Sequence, residues 1–141
     1  LLGVPVAVGL DADVESVLEA RRNARRNRVA DRLRLLAGGP EALDSTYPLV
    51  LANLTAPTLA ALADVLDARV DRARGTLIVA GLTRSEEDEV RRLFAKRGFV
   101  ASAPLRDGDW SSFALRRKPR PARTRARAVS SARRPAREKR R

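Results

Sequence analysis

The chain has 141 residues, 44% of them apolar, with 29 Lys and Arg against 17 Asp and Glu, a length that suits one domain with one core. No stretch approaches the ~20 unbroken apolar residues of a membrane-spanning helix, which argues against an integral membrane protein. Cys and His are both absent, so disulfides, thiolate metal sites, cysteine nucleophiles and histidine general bases are excluded, and no metal site is expected.

Met is absent as well, so the sequence reads as processed or as a fragment. No charged segment followed by an apolar run and a small-residue cleavage site opens it, and a cytoplasmic location is the default expectation. The net charge of +12 divides sharply. Residues 116–141 hold 13 bases against Glu138 alone, while residues 1–115 hold 16 bases and 16 acids.

Val4 to Leu10 is a Val-rich run that reads as a buried strand ending at Asp11. Asp13 caps a following helix, with Val14, Val17 and Leu18 as its apolar stripe, arginines towards its end and Asn27 as its stop. Leu33 to Leu36 is a second strand, closed by Gly38-Gly39-Pro40, and Leu49 to Asn53 a third, again buried. Leu59, Leu62, Ala63, Leu66 and Val70 recur at helical spacing. Thr76 to Ala80 is a β-branched strand that Gly81 ends. Thr83 and Glu86 have capping-box spacing before a helix with Val90, Leu93 and Phe94 on one face, and Gly98 stops it. Phe99 to Leu105 and Trp110 to Leu115 flank Arg106-Asp107-Gly108-Asp109 as an antiparallel hairpin.

Strands alternating with amphipathic helices predict an α/β fold with a mostly parallel sheet and an antiparallel hairpin at its last edge. Residues 1–115 form that domain. From Arg116 onward Arg, Ala, Pro and Ser dominate without apolar periodicity, so 116–141 reads as a disordered Arg-rich tail.

In such sheets ligands sit beyond the carboxyl ends of the strands, and two polar residues stand there, Asp11 and Asn53. A carboxylate at a strand end can accept both hydroxyls of a ribose. Equally, Asp11 reads as a loop acid and Asn53 as a turn residue satisfying local backbone groups. Asp13 is the helix cap.

Several runs resemble one family. Gly9-Leu10-Asp11-Ala12-Asp13 with Ala20-Arg21-Arg22-Asn23-Ala24-Arg25-Arg26-Asn27, Tyr47 to Ala56, Gly75 to Leu82, Gly98-Phe99 and Gly108-Asp109-Trp110 are similar, in order and natural spacing, to motifs of the PrmA-type methyltransferases. These are class I S-adenosylmethionine-dependent enzymes that modify lysine and terminal amines on a protein of the large ribosomal subunit. The resemblance covers residues 1–117. It implies a Rossmann-like sheet, S-adenosylmethionine as cofactor, and a ribosomal protein as substrate. Carried onto this chain, it places Asp11 at the adenosyl ribose and Asn53 along the cofactor and substrate side, and assigns no general base. Pro48 and Arg74 depart from the family pattern, and the first strand with its Gly-rich cofactor loop is not found, so the chain reads as a partial catalytic domain. The family order puts that strand between those carrying Asp11 and Asn53, which would leave them two spacings apart, roughly 9.6 Å, or closed to about 4.8 Å. The second reading is a catalytically inactive α/β remnant acting as a basic RNA- or ribosome-associated module. The tail has three readings: a solvated extension, an electrostatic contact to ribosomal RNA, or a contact to acidic membrane surfaces, which no apolar face supports.

Overall fold

The computed structural model describes residues 3–117. The elements follow in the expected order: β1 (Ala7–Asp11), α1 (Val14–Arg26), β2 (Leu33–Ala37), β3 (Leu49–Asn53), α2 (Ala56–Arg69), β4 (Thr76–Thr83), α3 (Glu87–Ala95), β5 (Phe99–Ala101), β6 (Leu105–Asp107) and β7 (Trp110–Arg117), with short 3-10 turns at Pro40–Ala42 and Arg84–Glu86.

Local signals account for the helix ends. The Asp13 side chain accepts hydrogen bonds from the backbone N–H of Glu15 and Ser16 and from the Ser16 hydroxyl, while Arg25 and Arg26 occupy the last turn before Asn27. Thr55 precedes α2, with Pro57 in its first turn. The Thr83–Glu86 capping box is present and encloses the 3-10 turn that leads into α3.

Strands β1 and β2 pair in parallel, as do β3 and β4. Strand β7 then lies antiparallel between β4 on one side and β5 and β6 on the other. The buried core belongs to this second sheet and its helices. Leu59, Ala63, Leu66 and Val70 of α2 and the following turn pack with Leu77, Val79 and Leu82 of β4, Val90 and Phe94 of α3, Phe99, Phe113 and Leu115. The β1–α1–β2 unit contributes only Val17 and Ala24 to the buried apolar set, and neither joins that cluster.

Five expectations need correction. The first strand starts at Ala7, leaving Val4 and Val6 exposed, and neither β1 nor β3 is buried on both faces, since Leu51 is 70% exposed. Side chains alternate between the two faces of a strand, and in β3 the face of Val50 and Ala52 packs on the core while that of Leu49 and Leu51 stays open. Strands β1 and β3 also each have one paired edge among the described residues. The two strands have not closed into a ladder, so the sheet is interrupted between them. The strand ended by Gly81 instead runs through it to Thr83, because a register shift between Val79 and Leu82 absorbs the glycine as a bulge. The first hairpin arm is broken at Ser102–Pro104 into β5 and β6, which pair with opposite halves of β7. Finally, the domain does not stop at Leu115. Arg116 and Arg117 belong to β7, and Arg117 forms an ion pair with Asp67 of α2 at 2.7 Å and stacks on Phe99. Of the expected disordered tail, residues 118–141 lie outside the described residues.

Candidate functional site

An open groove of about 590 Å³ lies at the carboxyl ends of β3 and β4, a size within the range of small-molecule sites. Its floor is Asn53, the last residue of β3, with Ala80 and Gly81 of β4. Leu54 and Thr55 form the rim where α2 begins. Its wall is the β6–β7 hairpin, through Leu105, Arg106, Asp107, Trp110, Ser111 and Ser112.

Gly81 sets the floor. It adopts φ 78°, and a Cβ there would come 2.7 Å from Oδ1 of Asn53 and 3.1 Å from the Leu54 carbonyl oxygen. Only a residue without a side chain lets the Asn53 carboxamide lie against β4 at this point. The Leu54 N–H donates to the Ala80 carbonyl at 3.1 Å and carries the ladder one step past the strand end.

The wall is fastened from below. Arg106 donates from Nε and Nη2 to the two carboxylate oxygens of Glu87, at 2.8 and 2.9 Å, a two-pronged pair at the first turn of α3. The Arg106 guanidinium, and after it the neighbouring Ser111 hydroxyl, hold the Glu87 carboxyl down to about 2. Arg84 donates to the Gly108 carbonyl at 2.8 Å and ties down the hairpin turn. Glu87 neutralises Arg106, whose side chain stays about half exposed, and the exposed apolar part of the wall is Leu105 and Trp110, 77% and 62% exposed, beside the carboxylate of Asp107. Asp107 and Trp110 are directly paired across the hairpin.

Of the two residues singled out from the sequence, Asn53 lines this groove. Asp11 does not. It ends β1, and its carboxylate Oδ1 accepts the Asp13 N–H at 2.9 Å while its backbone carbonyl accepts from Gly38. Both residues therefore terminate parallel strands, but in different sheets. Sequence reasoning missed Gly81, whose signal was a glycine inside a β-branched run, and gave Trp110 no role although it is the only tryptophan. The Glu87–Arg106 pair spans 19 residues and left no local signal. Among the described residues, no group of three or more Asp and Glu side chains is placed to hold a metal ion.

Residues 1–118 match the ribosomal protein L11 methyltransferase (PrmA) family. The chain belongs to this family. It is similar to a ribosomal protein L11 methyltransferase of Xylella fastidiosa strain Temecula1, 46% identical over 94 residues that make up 67% of this chain and 30% of that one. The crystal structure of a ribosomal protein L11 methylase from Lactobacillus delbrueckii subsp. bulgaricus is similar at a TM-score of 0.74 and 25% identity, over 80% of this chain and 58% of that chain. A magnesium protoporphyrin IX methyltransferase from Synechocystis PCC 6803 with bound SAH matches at a TM-score of 0.60, over 80% of this chain and 64% of the other, and at 17% identity it shows the class I fold alone. The chain thus spans under a third of the length of the Xylella relative.

Proposed function

We propose that this chain is the distal part of a methyltransferase catalytic domain that transfers methyl groups from S-adenosylmethionine to amines of ribosomal protein L11, in the cytoplasm. The observation that carries this reading is the groove at the carboxyl ends of β3 and β4, with Asn53 on its floor, in a chain of the L11 methyltransferase family.

The residues present suit part of the cofactor. Asp11, with one oxygen held by the Asp13 N–H, keeps its second oxygen for ribose hydroxyls. Asn53 offers a carboxamide to the reacting end. Between them β1 and β3 present unpaired edges, so the backbone amides needed to cradle the rest of the cofactor are not among those described. When bound, S-adenosylmethionine supplies an electrophilic methyl group on a sulfonium that departs without protonation. The groove residues then have two tasks. Asn53 accepts a hydrogen bond from the incoming amine through its carbonyl oxygen and aims the nitrogen lone pair. Leu54, Leu105 and Trp110 give the open groove an apolar lining that would exclude water once cofactor and acceptor fill it, which would favour the neutral amine over its ammonium form. Positioning of this kind needs no general base.

The test is methyl incorporation into purified L11 by the polypeptide that carries these residues in its full reading frame, read as successive 14 Da increments. Increments on lysine or the terminal amine, accumulating about tenfold or more slowly in Asn53→Ala, support the reading; an L11 mass that stays constant with both proteins overturns it.

A further inference from the structure

The balanced charge of residues 1–115 conceals an uneven placement. Residues 21–34 hold seven arginines against Asp31 alone, whereas residues 1–20 hold four acids and no base, and residues 35–115 hold eleven acids against nine bases. Arg21, Arg22, Arg25, Arg26 and Arg28 fall on the last turns of α1 and the turn after it, and all five are exposed. Arg21 with Arg25, and Arg22 with Arg26, are i,i+4 neighbours, forming two rows each about 6 Å long. Arg22 and Arg26 lie on the side of the helix opposite buried Val17 and Ala24, while Arg21 and Arg25 flank that inward side.

Few of these charges are used inside the molecule. Arg22 meets Glu19 at 2.9 Å and Arg21 donates to the Leu35 carbonyl. Among the described residues no carboxylate pairs with Arg25, Arg26 or Arg28. The helix dipole accounts for one or two cations at this end, not five. The frame beneath them is set: Arg28 adopts φ 57° and the Val29 N–H closes onto the Ala24 carbonyl at 2.9 Å.

We propose that this arginine face of α1 is a docking surface for RNA, gripping successive backbone phosphates. Guanidinium forks match phosphate oxygens, and a phosphodiester chain supplies the regularly repeated negative charge that such rows require. Residues 11–37 contain no aromatic side chain, so the contact is to the backbone and carries no base readout. The choice of RNA over DNA rests on the ribosomal reading above; the phosphate contact does not.

The test is fluorescence anisotropy of a labelled RNA duplex with the full 141-residue chain, without cofactor or protein substrate, so that failure of methyl transfer cannot affect it. The R22Q/R25Q/R26Q/R28Q variant should bind about tenfold more weakly at physiological salt, with a salt slope shallower by about 3. The R72Q/R74Q/R92Q/K96Q variant, which removes the same charge elsewhere, should lose about twofold or less. Circular dichroism should show both folded. Equal losses in the two variants, or none in the first, overturn the proposal. So does an equally large effect of the first variant on binding to anionic vesicles or polyglutamate; a DNA duplex of the same sequence, which carries the same phosphates, should show the same loss as RNA.

Discussion

Gly81 and Asn53 occupy each other's space: the carboxamide oxygen of Asn53 lies 2.7 Å from the point where a Cβ of residue 81 would be. The bulge in β4 and the floor of the groove are therefore one feature. Strand β4 takes a left-handed residue two positions before its end, and β3 places its terminal side chain in the space that results.

Gly81→Ala should accordingly act in two ways. The positive φ alone costs on the order of 1–3 kcal/mol for a residue with a side chain, a drop of several degrees or more in Tm for a domain of this size. The added methyl also displaces Asn53, which would appear as a shift of the Asn53 side-chain amide resonances in a nitrogen–proton correlation spectrum. An alanine variant that lost stability without moving those resonances would separate the two features.

The Glu87–Arg106 pair gives the fold an acid-sensitive element. The folded carboxyl sits at about 2, below its ordinary 4.5. A depressed pKa contributes stability that is fully present above the unfolded value and is lost as pH falls through the folded one. Urea midpoints should therefore fall between pH 4.5 and about 2, with Asp13 and Glu86, also lowered by their capping hydrogen bonds, adding to the decline. Arg106→Ala should lower the midpoint at pH 7 and flatten its dependence on pH. An unchanged slope in that variant would dissociate the pair from acid sensitivity.

Burial differs between the two faces of the β3–β4 ladder, where Leu77 shares a face with Val50 and Leu51 shares the other with Ile78. Leu77 is fully buried and Leu51 is 70% exposed. Leu77→Ala should cost about 2–5 kcal/mol, while Leu51→Ala should stay within about 0.5 kcal/mol. Denaturant unfolding of the two variants distinguishes these values easily. A comparable loss in both would mean that the outer face of β3 is covered in solution.

Because the β1–α1–β2 unit places no residue in the main core, its amides should open more readily than those of β4, β7 and α2. Native-state hydrogen exchange should show Val8 to Leu10 and Leu33 to Leu36 exchanging well before Leu77 to Val79 and Phe113 to Leu115. Uniform protection across both sheets would contradict this division.

These relationships show where the sequence was readable. Asp13, the apolar face from Leu59 to Val70 and the Thr83–Glu86 box depend on residues one to four positions apart, and each could be read in place. The pairing of β7 between β4 and β5, the exposure of Leu51 and the Glu87–Arg106 contact depend on segments brought together only by folding. Gly81 lies between these cases, since a glycine in a strand marks either an end or a bulge, and only the register with β7 decides. Likewise, the arginines of α1 were placed at the helix end and read as complementing its dipole, but the zero sum over residues 1–115 left their excess unweighed, because a total carries no positions. Asn53 and Asp11 were recognisable as strand-end polar residues. Which of them borders the groove was not, because that depends on the placement of the β6–β7 hairpin.

The central claim is that Asp11 and Asn53 serve one methyl donor from two strands, and steady-state kinetics on the full-reading-frame polypeptide tests it most directly. With L11 as acceptor, Asp11→Ala should raise KM for S-adenosylmethionine with little change in kcat, whereas Asn53→Ala should lower kcat by about tenfold or more. The 141-residue chain alone, with β1 and β3 unjoined, should show no micromolar affinity for S-adenosylhomocysteine by calorimetry. Wild-type kinetic constants in both variants, or micromolar binding by the chain alone, would contradict the account.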